Sequence, residues 1–479
     1  MKFDVAVIGA GVVGALTARA LTRYKLRVAL LESAEDVAAG ASRANSGIVH
    51  GGFDPIPGTK KARFNVQGTS MMKQLTEDLG VTFRQNGSLV LAFSEEEMET
   101  VRALYERGVA NGVPELSVIN ADEVRALEPR VSKKVVGALR CESSGIVCPY
   151  GLTIAAIGNA MDNGAELFCN FRVDNIEQTE NSFILHAGER SIEADFVVNC
   201  AGLHGDEVAA LIGDNRYTIT PRKGEYMLLD RAEGDLCAHT LFQVPTAAGK
   251  GILVSPTADG NLLVGPTSVV TDSKTVRDTT PEGLDAIRTA AAKSVADIPY
   301  RQVITSFTGL RAVPKGCEDF IIEPSVASPR FILAMGIESP GLSAAPAIAE
   351  EVVSLLKNAG LALEENPDFC GKRASYHAFR ELSNEEKNEW IKRDPTYGHV
   401  ICRCETVTEG EILDAIRRNP PARTMDGVKR RVRAGMGRCQ GGFCTTYIAD
   451  LIAREHGLPI TEVSKFGSGS ELLVGRTKE

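Results

Sequence analysis

The sequence predicts a chain of mixed α/β and α+β class. A domain of parallel strands carries an inserted antiparallel sheet, and a small, mostly helical domain follows at the C-terminal end. Three observations carry this. A short apolar run enters the turn Gly9-Ala10-Gly11-Val12-Val13-Gly14 near the start of the chain. Two further strand-to-glycine elements, ending at Gly202 and Gly336, recur far downstream. Four cysteines, Cys402, Cys404, Cys439 and Cys444, then form a C-x-C, long gap, C-x4-C array in a chain with 11 cysteines in all.

A length of 479 residues suggests two or three domains. The hydrophobic share of 43% and charged share of 24% are those of an ordinary soluble globular protein. A net charge of −9 gives no general nucleic-acid footprint. The first residues pass straight into a glycine turn without a basic leader or cleavage site, so they read as a strand rather than a signal peptide. No stretch reaches the roughly 18 consecutive apolar residues of a membrane helix. The expectation is a cytoplasmic protein without a transmembrane segment, with peripheral membrane association left to a partner. An odd number of cysteines in that compartment favours thiols and metal ligation over disulfides.

Residues 3–8 are almost wholly apolar, as in a parallel strand buried on both faces. The glycine turn then opens a helix to about residue 24, and residues 27–31 form the next strand, ending at Glu32. This is a Rossmann-like βαβ unit. Gly9 makes the tight turn, Gly11 lets the backbone approach a pyrophosphate, and Gly14 lets helix and strand pack closely, while the helix N-terminus attracts phosphate. Glu32 would accept hydrogen bonds from ribose hydroxyls. The strand at residues 196–202 and the strand at 331–336, with its following helix, place a nucleotide domain in separated segments, about 1–80, 146–214 and 306–363. Residues 81–145 and 215–305 alternate as strands, polar helices and turns, and read as a substrate-covering antiparallel sheet. Residues 364–397 turn polar and read as a linker. A cluster domain at 398–456 and a tail at 457–479, docked or loose, complete the chain.

The cysteine array reads as an iron–sulfur site. A [2Fe–2S] cluster needs four thiolates, and turns at Gly437, Gly441 and Gly442 let backbone N–H groups reach its sulfurs. A structural zinc site is the alternative, although C-x-C fits zinc spacing less well. Paired with the dinucleotide fingerprint, the array implies a redox enzyme that moves electrons singly out of a two-electron site. The basic run Lys429, Arg430, Arg431 and Arg433, with Arg438, reads as a solvated face whose cations could steer an acidic electron carrier. Cys200, inside an apolar strand, reads as a buried small hydrophobe.

At Gly9 to Gly14, Glu32, the run 41–52, residues 198–202 and residues 336–343, the chain resembles the D-amino-acid-oxidase superfamily of FAD enzymes. Within it, the Asn45, Ser46, Gly47, His50 signature is similar to the branch of FAD-dependent glycerol-3-phosphate dehydrogenases, short glycerol-3-phosphate oxidases and L-2-hydroxyglutarate oxidases. The cysteine module is similar to the bacterioferritin-associated-ferredoxin-like [2Fe–2S] domain of the anaerobic glycerol-3-phosphate dehydrogenase large subunit. The resemblance implies an FAD site at Gly9, Gly11, Val13, Gly14, Glu32, Ser42, Asn45, Ser46, Gly47, Arg172, Val173, Ala201, Gly202, Gly341, Leu342 and Ser343. It also implies oxidation of a small anionic hydroxylated substrate, sn-glycerol 3-phosphate first, with electrons passed through the cluster to a partner protein or subunit. Other 2-hydroxy acids, amines or imino acids are rival substrates, and a non-catalytic electron-transfer subunit is the rival of another class. Removing an alcohol proton needs a base of pKa near 7, for which His50 is the candidate. Ring orientation and covalent flavin attachment are its other possible roles. Arg311 matches the family cation for phosphate or carboxylate, which a planar guanidinium holds bidentately. Lys250 resembles a second anion-facing position, and Ser339 and Ser343 would meet flavin or substrate.

Overall fold

The computed structural model describes residues 1–245, 251–376, 378–475 and 477. The first apolar run forms the strand Lys2–Ile8, central in an eight-stranded sheet. Val28–Leu31 and Arg190–Asn199 flank it in parallel. Glu166–Phe168 and Phe331–Met335 extend the parallel order outward. Val5, Ala6, Val7 and Val28 to Leu31 are at most 1% exposed, which is why these strands read as continuous apolar runs. The helices Val12–Leu21, Pro149–Asp162 and Gly341–Asn358 bury their apolar faces against the sheet in one shared core. A second core, with Phe183, Leu203 and Phe331, covers the opposite face.

The second sheet has nine strands. Ser88–Ala92, Leu116–Asn120 and Gly137–Cys141 come from the first insertion, and the strands from Ile219–Leu229 to Val269–Val270 from the second. The expected all-antiparallel pairing needs one correction: Thr240–Gln243 lies parallel to Ser88–Ala92. The two strands belong to different insertions, so no tight turn has to join them. The longest pair couples Ile219–Leu229 to Val303–Pro314, after which the chain returns to the first sheet at Ile321–Pro324 and Phe331–Met335.

The polar stretch read as a linker contains the helix Asn384–Arg393, closed by a capping box of Ser383 and Glu386. None of its residues is buried. A helix without an apolar stripe gives no 3.6-residue hydrophobic period, so the capping box was the available signal. The hairpin Val400–Cys402 and Val407–Thr408 and the helices Glu409–Arg417, Met425–Val432 and Thr445–His456 then enclose a core of their own. The tail is docked on this unit: the N–H groups of Met425 and Asp426 donate to the carbonyls of Ser464 at 3.1 Å and Lys465 at 2.8 Å. Among the described residues no helix is long and apolar enough to cross a membrane.

Within the basic run Arg430, Arg431 and Arg433 do not form a solvated face, whereas Arg438 is exposed. Arg430 and Arg431 are 8% and 7% exposed, and both donate to Asp36 in the loop beyond Glu32. Arg431 forks onto both carboxylate oxygens at 2.9 Å, and Arg430 adds a bond of 2.7 Å. Arg433 reaches the Glu405 carboxylate at 2.9 Å, Asp259 at 2.8 Å and Asn261 at 2.8 Å. One helix of the cysteine-bearing unit is thereby fixed to both larger sheets. A cationic helix face buries readily when carboxylates on other elements receive it, and sequence spacing cannot show those partners.

Burial alone would raise the Asp36 carboxyl, but Arg431 and Arg430 outweigh it and hold the group at about 2. Its stabilising contribution is therefore complete above the ordinary aspartate pKa of about 4 and is lost as pH falls toward the folded value. Asp36→Ala should destabilise the chain by about 3–5 kcal/mol at neutral pH, because it leaves two buried guanidinium groups uncompensated. Denaturant unfolding of both proteins between pH 8 and pH 3 measures this. The gap should stay constant at the upper end and narrow below about pH 4.

Candidate active site and cluster centre

The turn after Lys2–Ile8 opens into a cavity of about 2200 Å³ between the two large sheets. Pockets for drug-sized ligands occupy roughly 300–1,000 Å³, so this cavity has room for a dinucleotide together with a small substrate. At its nucleotide end Gly9 has a φ of 103°, and a Cβ there would collide with the Cys200 carbonyl. Gly11 and Val13 face the cavity, whereas Gly14 packs against the Gly9 carbonyl and does not reach it. Glu32 accepts the N–H groups of Ala10 at 3.0 Å and Ala34 at 2.9 Å. Burial pushes its carboxyl up, and those two N–H groups pull it the other way.

The N–H of Val12 donates to Ser42 Oγ at 2.9 Å, which ties the 41–47 loop across the start of the first helix. Asn45 folds that loop by accepting the N–H of Gly47 at 2.8 Å, and Asn45 and Ser46 line the cavity. Gly47 itself packs on the Val147 carbonyl, away from the lining. Arg172, Val173, Ala201, Gly202, Gly341 and Leu342 complete the wall. Cys200 also borders it, with a thiol pushed up to about 12 by burial, as befits a small apolar side chain.

His50, Arg311 and Ser339 line the same cavity, and Lys250 lies outside the described residues. The His50 backbone is held on both sides. Its N–H donates to Ser343 Oγ at 2.8 Å, and its carbonyl accepts from Asn65 Nδ2 at 2.5 Å and Thr69 Oγ1 at 2.7 Å. Ser343 is wholly buried, and its hydroxyl accepts the His50 N–H. The imidazole lies 5.5 Å from the Phe242 ring at an interplanar angle of 32°.

Arg311 is placed by the long strand pair, in which Gly224 stands opposite Gly309 and Tyr226 opposite Phe307. A Cβ on Gly309 would collide with the Ala44 carbonyl, and one on Gly224 would stand 2.9 Å from Arg311 Nη2. This glycine pair lets the sheet, the Asn45 loop and the guanidinium share one space. Tyr226 was missed in the sequence. Its ring stacks on Phe307 at 4.8 Å, burial pushes its phenol up, and Arg311 and Ser46 beside the hydroxyl oppose that rise. The available signal was strand alternation, which puts Arg222, Gly224 and Tyr226 on one face.

The four cysteines fall into two pairs. Cys404 Sγ lies 3.2 Å from Cys439 Sγ at the surface, while Cys402 and Cys444 are hydrogen-bonded and 1% exposed. Among the described residues no three Cys, His, Asp or Glu side chains surround a common point as a single metal ion requires. Two pairs suit a two-iron cluster, each iron taking two thiolates. Backbone N–H groups also point at the sulfurs. The Cys444 thiol and then the N–H groups of Gly435 and Glu405 pull Cys402 down to about 6 against burial. Burial would raise Cys439, but Cys404 and the N–H groups of Gly441, Gly442 and Phe443 together lower it. Their partners Cys444 and Cys404 are pushed up, so each pair shares one proton when no cluster is bound. Four thiols in two pairs, with backbone N–H groups aimed at the sulfurs, fit an anionic sulfur cluster.

A glycine cradle with a buried acidic residue, continuous with a cation-bearing substrate end and joined to a four-thiolate centre, defines a flavin oxidoreductase with a second redox site. Residues 4–355 match the FAD dependent oxidoreductase (DAO) family, and residues 400–454 match the BFD-like [2Fe-2S] binding domain. The chain belongs to the DAO family of FAD-dependent oxidoreductases, and its cofactors are FAD and a [2Fe–2S] cluster. It is 46% identical over 476 residues, 99% of each chain, to a glycerol 3-phosphate dehydrogenase of Caloramator mitchellensis. It is 32% identical to a glycerol 3-phosphate oxidase of Mycoplasma pneumoniae over 77% of this chain and 97% of that protein. The FAD-bound, dithionite-reduced L-α-glycerophosphate oxidase structure from that organism superposes with a TM-score of 0.74 at 32% identity, covering 78% of this chain and 99% of the other.

Purified anaerobically, the protein should hold about one FAD, two irons and two acid-labile sulfides per chain. Cys439→Ser should abolish the cluster's visible and EPR signals while substrate still bleaches the flavin. Metal analysis returning one zinc and no labile sulfide would overturn the cluster assignment.

Proposed function

We propose that the chain oxidises sn-glycerol 3-phosphate to dihydroxyacetone phosphate and releases the electrons through the [2Fe–2S] centre to a partner protein. The observation that carries the substrate is Arg311, a cavity-lining guanidinium backed by Gly224 and Tyr226. The full-length similarity to a glycerol 3-phosphate dehydrogenase supports the same substrate. Bound FAD supplies the two-electron acceptor for the hydride from the carbinol carbon. Arg311 holds the phosphate bidentately, and His50 takes the hydroxyl proton at its imidazole. Ser339 lies at the start of Gly341–Asn358, whose N-terminal dipole favours negative charge at this end of the cavity. Ser343 fixes the height of His50 through the backbone. We assign residues 1–363 to the oxidoreductase, 364–397 to the linker, 398–456 to the cluster domain and 457–479 to the tail.

Similarity to human L-2-hydroxyglutarate dehydrogenase, 30% over 56% of this chain, makes a carboxylate the competing anion. Anaerobic flavin bleaching against glycerol 3-phosphate, L-2-hydroxyglutarate, lactate, glycerol and amino acids tests the choice. Glycerol 3-phosphate should bleach fastest, and preferential bleaching by another compound would replace it. Arg311→Ala should remove most of the preference for glycerol 3-phosphate over glycerol, a loss of about ten- to a hundredfold or more for a charge-assisted hydrogen bond. Arg311→Lys should also weaken saturation, because it keeps the charge and loses the fork.

His50→Ala should slow flavin reduction by about 10²–10⁴-fold with FAD still bound. Stopped-flow absorbance gives the rate. A loss below tenfold would return His50 to orienting the ring.

A further inference from the structure

The cysteine-bearing unit has an inner and an outer side. Cys402 and Cys444 face its core, and Cys404 is exposed beside Cys439. The outer pair is ringed by side chains that suit a transient protein contact and serve no purpose in the core. Phe443, next to Cys444, is 76% exposed, and Tyr447, one helical turn onward, is 58% exposed. His399 meets Tyr447 edge-on at 6.5 Å, and Val400 on the ligand-bearing hairpin is 39% exposed. Arg403, between the first two ligands, is exposed, and Arg438, before the third, keeps 71% of its side chain in solvent while touching Asp230. Exposed aromatics with arginines form the composition of an interaction patch.

Charge identifies the occupant. The whole chain carries −9, yet once the buried, paired Arg430, Arg431 and Arg433 and the buried Glu405 and Glu411 are set aside, residues 398–456 keep seven Lys or Arg against five Asp or Glu. With Arg403 and Arg438 beside the outer thiols, that surface is a locally cationic, aromatic island on an anionic protein. We propose that this face is the docking surface for an acidic one-electron carrier protein. The proposal rests on the reading that electrons leave through the cluster. Each alcohol oxidised to a ketone yields two electrons and two protons. The protons pass to solvent, and two carrier molecules each gain one electron. Electron-transfer complexes belong to the small-interface class, below roughly 1,200 Å², so a patch of this extent is sufficient. Opposite charge raises the encounter rate and makes it fall as salt rises.

The test is stopped-flow electron transfer from substrate-reduced enzyme to a purified flavodoxin, an acidic FMN carrier. Basic cytochrome c serves as the control. For flavodoxin the second-order rate should fall as ionic strength rises, and for cytochrome c it should stay level or rise. The sign of the salt slope reports the surface regardless of driving force. Arg403→Glu and Arg438→Glu should each flatten the flavodoxin slope and together lower the low-salt rate by about tenfold or more. Tyr447→Ser should lower the rate at every salt concentration. Flavin bleaching and the cluster's EPR spectrum, unchanged in each variant, exclude misfolding. Wild-type slopes of the reverse sign, or charge variants that keep the wild-type slope, would overturn the docking surface while leaving the electron route intact. If Cys439→Ser reduces flavodoxin as fast as wild type, the exit through the cluster fails instead.

Discussion

One carboxylate and two guanidinium groups, all nearly out of water, decide how this molecule is assembled. Asp36 sits a few residues beyond Glu32, in the loop that continues the dinucleotide-binding unit, and Arg430 and Arg431 belong to the helix that precedes the second cysteine pair. A buried ion pair is a poor source of net stability, since desolvation consumes most of the Coulombic gain. It is, however, intolerant of misplacement, because a guanidinium that misses its acceptor stays charged and dry. The triad therefore specifies position. The Arg433 contacts to Asp259 and Asn261 add a second bearing on the nine-stranded sheet, so the thiolate centre has two fixed references.

The cavity obeys the same logic with backbone in place of charge. Its nucleotide end exists because Gly9 and Gly14 let a strand, a turn and a helix occupy space that side chains would fill. Its reacting end exists because Gly224 and Gly309 face each other across the longest strand pair. Between these ends the 41–50 segment is bonded at Ser42 to the first helix and at His50 to the Gly341–Asn358 helix. His50, the proposed base, is thus carried on backbone anchored to rigid elements, the arrangement that keeps reacting groups in register.

Much of this was legible in the chain itself. The glycine turn, the acidic residue after the second strand and the cysteine array rest on local spacing, and local spacing is what a sequence displays. The partners of Arg430, Arg431 and Arg433 could not be read, because Asp36 and Asp259 lie hundreds or scores of residues away and carry no periodic signature. The same holds for Ser343, whose position in a glycine-rich loop suggested ligand contact while its hydroxyl serves the backbone of a residue 293 positions earlier. Tyr226 was hidden differently. A tyrosine in an alternating strand is ordinary, and its role appears only once register sets it beside Arg311. The Asn384–Arg393 helix escaped notice because it buries nothing.

The docked tail has a further consequence. Phe466 borders the same cavity whose cradle is formed by residues 9–14, and Gly467 lies against Glu35. Residues 9–14 and Phe466, far apart in sequence, therefore meet at one wall. On a ribosome, the βαβ unit emerges long before the strands 190–199 and 331–335 that complete its sheet, and Phe466 emerges later than any of them. The cavity wall is closed only after that late segment has docked, so a chain cut before Ser464 would present an unfinished wall.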